Sequence, residues 1–191
     1  MRSIAEGTAA LAAREMTDVT TPADRRALGS TAVLLELEHS EGQALFGFAL
    51  RLGLSEAEAQ DAVQEALLRL WTQFTAGSAI ENPRNWTFRT IYRIAMDEHR
   101  LRRRAMGLLD RIGRATSRSS AHEPVEPVDL WPEVDQLSDR QRQVIYLRYQ
   151  ADLAFEEIGT ILGITASAAR SHCTFALAAL RKRLTKAEVA L

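Results

Sequence analysis

The sequence predicts an all-α protein of two small helical domains, and three observations carry that prediction. Apolar residues recur at three- and four-residue spacing wherever a core could form. No segment shows the strict alternation of a half-buried strand. Between residues 107 and 132 the texture changes to Gly, Ser, Thr and Pro, which separates two helical groups. Taken in order, residues 1–30 are rich in Ala, Thr and Arg and have weak periodicity, so they are expected to form a frayed or disordered arm with at most one short helix. The first domain is expected over residues 31–106. In 31–52, Val33, Leu34, Leu37, Leu45, Phe46, Ala49 and Leu52 form an amphipathic helix that tolerates Gly42 and Gly47. Gly53-Leu54-Ser55 is a turn, and Ser55 with Glu58 makes a capping box for a helix running to about Phe74. That helix has Ala59, Val63, Leu67 and Leu70 on one side and acids on the other. A loop to Arg84 follows, broken by Gly77 and Pro83. Trp86–Arg104 then reads as a long helix with Phe88, Ile91, Ala95 and Met96 inward and arginines outward; Trp86 is assigned to the core.

Residues 107–132 read as a flexible linker, partly extended because Pro124 and Pro127 bias their neighbours away from helix. The second domain is expected over 133–186, leaving 187–191 as a tail. Ser138 and Gln141 form a second capping box, followed by a stripe of Val144, Ile145, Leu147 and Tyr149. Phe155–Leu162 is a short amphipathic helix stopped by Gly163, and Thr165 caps the next one. In that last helix Ala169, Cys173, Leu177 and Leu180 face inward. Arg170, Ser171, His172 and Thr174 are left on or near the outer face, where the recognition helix of a helix-turn-helix unit meets base edges.

Composition bounds the function. The 191 residues are 46% hydrophobic, enough for packed cores, and contain one cysteine, which rules out an internal disulfide and fits a reducing cytoplasm. No apolar run reaches the length of a membrane span, and no signal-peptide h-region precedes Glu15 and Asp18, so no membrane insertion is expected. The net charge is only −1, but it is unevenly spread. Ten arginines stand against three acids between Arg84 and Arg118, a local balance of +7, while acids gather at Glu56–Glu65 and Glu123–Asp135. Such blocks suit separate surfaces for nucleic acid and for a protein partner. The histidines lack metal-ligand spacing with Cys173, and there is no phosphate loop or nucleophile–base pair. No metal site, cofactor or catalytic residue is predicted, and the protein is not expected to be an enzyme.

Two ordered motifs resemble the bacterial sigma-70 superfamily of RNA polymerase sigma factors, of the compact extracytoplasmic-function (ECF) type. One is Asp61-Ala62-Val63-Gln64-Glu65-Ala66-Leu67-Leu68-Arg69-Leu70-Trp71 with Pro83-Arg84-Asn85-Trp86 and Asp97; the other is Leu137–Arg142 and Leu147–Tyr149 with Glu156-Glu157-Ile158 and Leu162-Gly163-Ile164. The resemblance covers roughly 34–104 as sigma region 2 and 134–183 as region 4. It implies that Asp61, Gln64 and Glu65 dock on the β′ clamp helices of core RNA polymerase. It implies that the loop before Arg84 captures a flipped base of the −10 element. Arg84, Phe88, Arg89, Tyr92, Arg93, Arg100 and Arg103 would contact that DNA once opened, although Phe88 and Tyr92 stand equally between core and base contact. Region 4 would read the −35 duplex through Arg170, Ser171, His172 and Thr174 and touch the β flap. Members of the family are commonly held inactive by an anti-sigma protein. The chain departs from the pattern at Thr87 and Arg93, where leucine and asparagine are common, so no −10 base preference carries over. It departs again at Thr174 and Phe175, where basic residues are common. An autonomous helix-turn-helix regulator with a dimerising or sensing N-terminal domain is the alternative, and it leaves the Asp61–Trp71 motif without a task.

Overall fold

The computed structural model describes residues 22–110 and 131–188, and among these every regular element is helical. The expected linker therefore lies largely outside the described residues, as do residues 1–21 of the expected arm. Three long helices make the first module: α1 (Pro22–Arg51), α2 (Glu56–Thr75) and α3 (Pro83–Asp110). The second comprises α4 (Trp131–Asp135), α5 (Asp139–Ile145), a π-helical turn at Tyr146–Gln150, α6 (Phe155–Leu162) and α7 (Ala166–Glu188).

Local chemistry sets most boundaries. The chain turns through Gly53, whose φ of 86° favours glycine. Ser55 then caps α2: its Oγ accepts from the Glu58 N–H at 3.4 Å, and Glu58 accepts from the Ser55 N–H at 2.8 Å. Pro83, expected as a breaker, is instead the first residue of α3, where a missing N–H costs nothing. Asn82 Oδ1 caps that end by accepting from the Asn85 N–H at 2.9 Å. In the second module Gln141 accepts from the Ser138 N–H at 3.3 Å. Gly163, in the left-handed conformation with φ 67°, closes α6, and Thr165 Oγ1 accepts from the Ala168 N–H at 3.1 Å to open α7.

Two sequence expectations change. Helix α1 begins at Pro22, inside the stretch assigned to the arm. The π turn shifts the face presented after Ile145, so Tyr149 is 59% exposed while Tyr146 is buried. The last helix buries Ala169, Cys173 and Ala176, with Leu177 and Leu180 partly covered at the margin.

The modules share one core. Phe48 on α1 meets Phe88 of α3 edge-on at 5.5 Å between ring centroids and stacks on Tyr146 at 6.1 Å. Tyr146 in turn meets Trp131 at 5.5 Å. Such pairs contribute about 0.5–1.5 kcal/mol each beyond their burial.

Gly159 holds the helix-turn-helix tight, since a Cβ there would lie 2.8 Å from the Ile164 carbonyl oxygen. Gly159→Ala should therefore destabilise the second module by about 2 kcal/mol, read as a lower urea midpoint with an unchanged slope. The Glu58 carboxyl, hydrogen-bonded first by Arg102 and then by Ser55, is lowered to about 2. Its stabilisation is complete above the ordinary carboxylate range and is lost as the pH falls from about 4.5 to about 2. Both side chains are about a third exposed, so solvent screening holds the effect to about 1 kcal/mol. Glu58→Gln should flatten that part of the acid-unfolding curve.

Candidate nucleic-acid interface

Three surfaces emerge from this packing. On α2, Asp61 and Gln64 are exposed and Glu65 is half-buried, its carboxylate 2.7 Å from Arg69 Nε. Burial of Ala59, Ala62, Ala66 and Leu70 against the bundle forces this stripe outward. Leu68, 57% exposed, falls in the middle of the same stripe, with Trp71 at its edge. These two apolar residues belong to the surface, yet the sequence reading placed neither in it. The signal in the sequence is their spacing: Leu68 stands at i+4 from Gln64 and i+7 from Asp61, and Trp71 at i+7 from Gln64.

On α3 the expected −10 residues separate into two groups. Arg89, Arg93, Arg100 and Arg103 are exposed and follow one helical face over four turns, about 21 Å. Arg100 pairs with Asp97 at 2.6 Å, and Arg103 Nε donates to the His99 carbonyl at 3.3 Å. Beside them a groove of about 450 Å³ is lined by Arg69, Ile94, Asp97, Arg100, Leu101 and Arg104. The second group turns the other way. Arg84 donates to the Ala151 carbonyl, and its Nε lies 2.7 Å from Glu41 in a charge contact off the N–H direction. Tyr92 Oη accepts from Arg140 Nη1 at 3.1 Å. Phe88 is fully buried, because Phe48 and the α1–α3 packing enclose it. It is a core residue here and offers no face to DNA. Trp86, assigned to the core, is half-buried and lies outside the core cluster.

The −10 candidates therefore do not form one open surface. Arg84 and Tyr92 are covered by the second module, which rests on the start of α3. Asn85 Nδ2 donates to Glu157 Oε1 at 2.6 Å, and this bond is the first cause of the lowered Glu157 pKa. Arg140 also donates to the Leu162 carbonyl at 3.3 Å. On the other side of the contact, Tyr146 Oη donates to the Ala44 carbonyl at 3.0 Å, and Arg51 lies over Trp131 while pairing with Asp135 at 2.5 Å.

On α7, Ser167, Arg170, Ser171, Thr174, Phe175 and Ala178 are exposed, spaced i, i+3, i+4, i+7, i+8 and i+11. Three of the four expected −35 residues share this stripe; His172 is half-buried on its flank. Arg170 lies over the Phe155 ring at 5.0 Å and 3.6 Å from Glu156. Cys173 is buried, its sulfur 4.0 Å from Tyr149 Oη. Among the described residues no group of three His, Cys, Asp or Glu could hold a metal ion, and no helix is long and apolar enough to cross a membrane.

A helix-turn-helix packed on a bundle with an arginine-faced helix defines a two-module DNA-binding protein. Family models resolve it further: Sigma-70 region 2 matches residues 39–105 and Sigma-70 region 4 matches 134–182. The ECF RNA polymerase sigma factor SigL of Mycobacterium tuberculosis is 31% identical over 164 residues, 83% of this chain and 92% of that protein. RNA polymerase sigma factor SigV of Bacillus subtilis is 24% identical over 158 residues, 83% and 95% of the two chains. The chain belongs to the ECF sigma factors of the sigma-70 family. Its fold is similar to that of the sigma factor RpoE of Bartonella quintana, solved with the anti-sigma factor NepR (TM-score 0.58, 20% identity, 78% of this chain and 97% of that one). It is similar also to CnrH, solved with the cytosolic domain of CnrY (TM-score 0.56, 23% identity, 86% and 95%).

The close fit between the modules generates a prediction. A Cβ at Gly47 would fall 2.2 Å from Tyr146 Oη and 3.0 Å from Cζ, and the buried ring has little room to retreat. Gly47→Ala should separate the modules, seen as a larger radius of gyration by small-angle scattering. Adding Tyr146→Phe removes the worst contact and should restore part of the compactness.

Proposed function

We propose that this chain binds core RNA polymerase, directs it to promoters through a −10 and a −35 element, and helps open the duplex. The observation that carries this reading is the presence of both sigma modules in one chain, each with an exposed cationic surface suited to its half of the promoter. The Asp61/Gln64/Glu65 stripe, widened by Leu68 and Trp71, is the surface for the β′ clamp helices. Acids steer the encounter with a basic partner, and the apolar pair supplies burial. Arg89, Arg93, Arg100 and Arg103 track the backbone of opened −10 DNA, as single-strand binding requires. Arg84 and Tyr92 join them only after α5 and α6 move off α3. Arg170, with Ser171, His172 and Thr174, meets the −35 duplex, while the same module contacts the β flap.

As a transcription initiation factor the chain performs no chemistry itself; nucleotide transfer belongs to the polymerase it recruits. It acts in the cytoplasm, beside the polymerase it recruits. An anti-sigma protein is a fitting further partner, since both structural neighbours were solved bound to one or to the cytosolic domain of a partner chain.

Run-off transcription with purified core polymerase tests the assignment: promoter-specific transcripts should appear only when this chain is added. Specific duplex binding by the free chain, with no effect on core polymerase, would favour the autonomous regulator instead. Reversing Asp61 and Glu65 together to Lys should weaken core binding by about tenfold or more while leaving the helical circular-dichroism signal unchanged. Unaltered affinity would remove the clamp assignment.

A further inference from the structure

We infer that Phe175 reads sequence in the upstream duplex by packing its ring against the C5-methyl group of a thymine. The inference rests on the reading of region 4 as the −35 module and adds a base-reading residue to it.

Phe175 is 64% exposed, the most exposed large hydrophobic side chain among the described residues. It does not sit on a loose edge. Ala169, Cys173 and Ala176, all buried, fix the rotation of α7, so the opposite stripe bearing Arg170, Ser171, Thr174 and Phe175 faces away from the protein. Phe175 is the tenth residue of α7, about 13 Å along the helix from its start. It therefore falls within the first three turns, the part of a recognition helix that a major groove about 12 Å wide receives.

The chemistry of the stripe is short of polar readers. Ser171 Oγ donates to the Ser167 carbonyl at 3.0 Å, and Thr174 Oγ1 donates to the Arg170 carbonyl at 3.0 Å. Both hydroxyl protons are thus spent on the helix itself. Arg170 is drawn toward Glu156 and the Phe155 ring, which compete with any base it might meet. Beside the short side chains of Ser167 and Ala178, the largest group on this stripe free to reach the groove floor is the Phe175 ring. A ring has no donor or acceptor to match to base edges, and the one apolar feature a base pair shows in the major groove is the thymine methyl. Contact with it removes both groups from water. Contact with any other base buries polar edges without partners, so the preference runs toward A·T pairs at that step.

The test uses the holoenzyme assembled from this chain and core polymerase, with a promoter duplex selected from a randomised pool. Each thymine of the upstream element is replaced singly by deoxyuridine, which removes only the methyl group. At one or two positions the wild-type holoenzyme should lose about fourfold in affinity, the value of one buried methyl. The Phe175→Ala holoenzyme should bind the thymine and deoxyuridine duplexes equally, and Phe175→Leu should recover part of the discrimination. Phe175 is exposed, so neither variant disturbs the core. If no thymine position responds, or if Phe175→Ala keeps the full deoxyuridine effect, the inference is overturned. Arg170→Ala separates that failure from a failure of the −35 reading. Loss of affinity with Arg170→Ala leaves region 4 on the duplex without a methyl-reading phenylalanine. If neither Arg170→Ala nor scrambling the upstream element changes binding, both the inference and the −35 reading fall.

Discussion

The seating of Tyr146 in the notch above Gly47 is the contact on which the arrangement of the two modules depends. The ring is buried between Phe48 and Trp131, and its hydroxyl donates to a carbonyl inside α1. Burial pushes the phenol up to about 12, so it stays protonated and able to donate across the whole working pH range. Only glycine at position 47 lets the ring approach so closely. A helix-interior glycine costs about 0.5–1 kcal/mol relative to alanine, and here that loss is offset by aromatic packing worth more. The string Phe88–Phe48–Tyr146–Trp131 then makes one core from two sequence-separated units.

Around that core the contacts are mostly between a guanidinium or amide and an acceptor on the opposing module. Arg84 reaches the Ala151 carbonyl, Asn85 reaches Glu157, and Arg51 reaches Asp135 while covering Trp131. The side chains on the α3 side include ones that the promoter-opening role would send to DNA. Arg84 and Tyr92 thus have two sets of candidate partners, one within the chain and one outside it. The exposed arginines farther along α3 have no such division and present their charge in this arrangement already.

Much of the architecture was legible in the sequence because it is set locally. The capping boxes at Ser55–Glu58 and Ser138–Gln141, the Thr165 cap and the left-handed Gly163 all act within four residues, and each appears where the sequence places it. The outward stripes of α2 and α7 were legible for the same reason, although the inward side of α2 is built on Ala62 and Ala66, with Val63 and Leu67 only partly covered. What was not legible depends on distant chain segments. Periodicity says that Phe88 lies on an apolar face but not that Phe48 closes over it. The π turn breaks the 3.6-residue repeat on which the inward assignment of Tyr149 relied, and puts Tyr146 in its place. Contact of α3 with the second module leaves no periodic trace, since Arg84 and Asn85 are polar and Tyr92 stands equally between core and base contact.

Glu157 shows how such a contact can be reversible. One of its oxygens, Oε2, accepts from the Ala154 N–H and finishes the start of α6, while the other, Oε1, takes Asn85 from the first module. Withdrawal of Asn85 frees one oxygen to water and leaves the helix end still capped. The start of α6 is therefore complete before the two halves meet. Parting them melts no helix end, so its cost is set by uncovering the aromatic packing of Phe48 with Tyr146 and by the partners competing for the exposed polar groups.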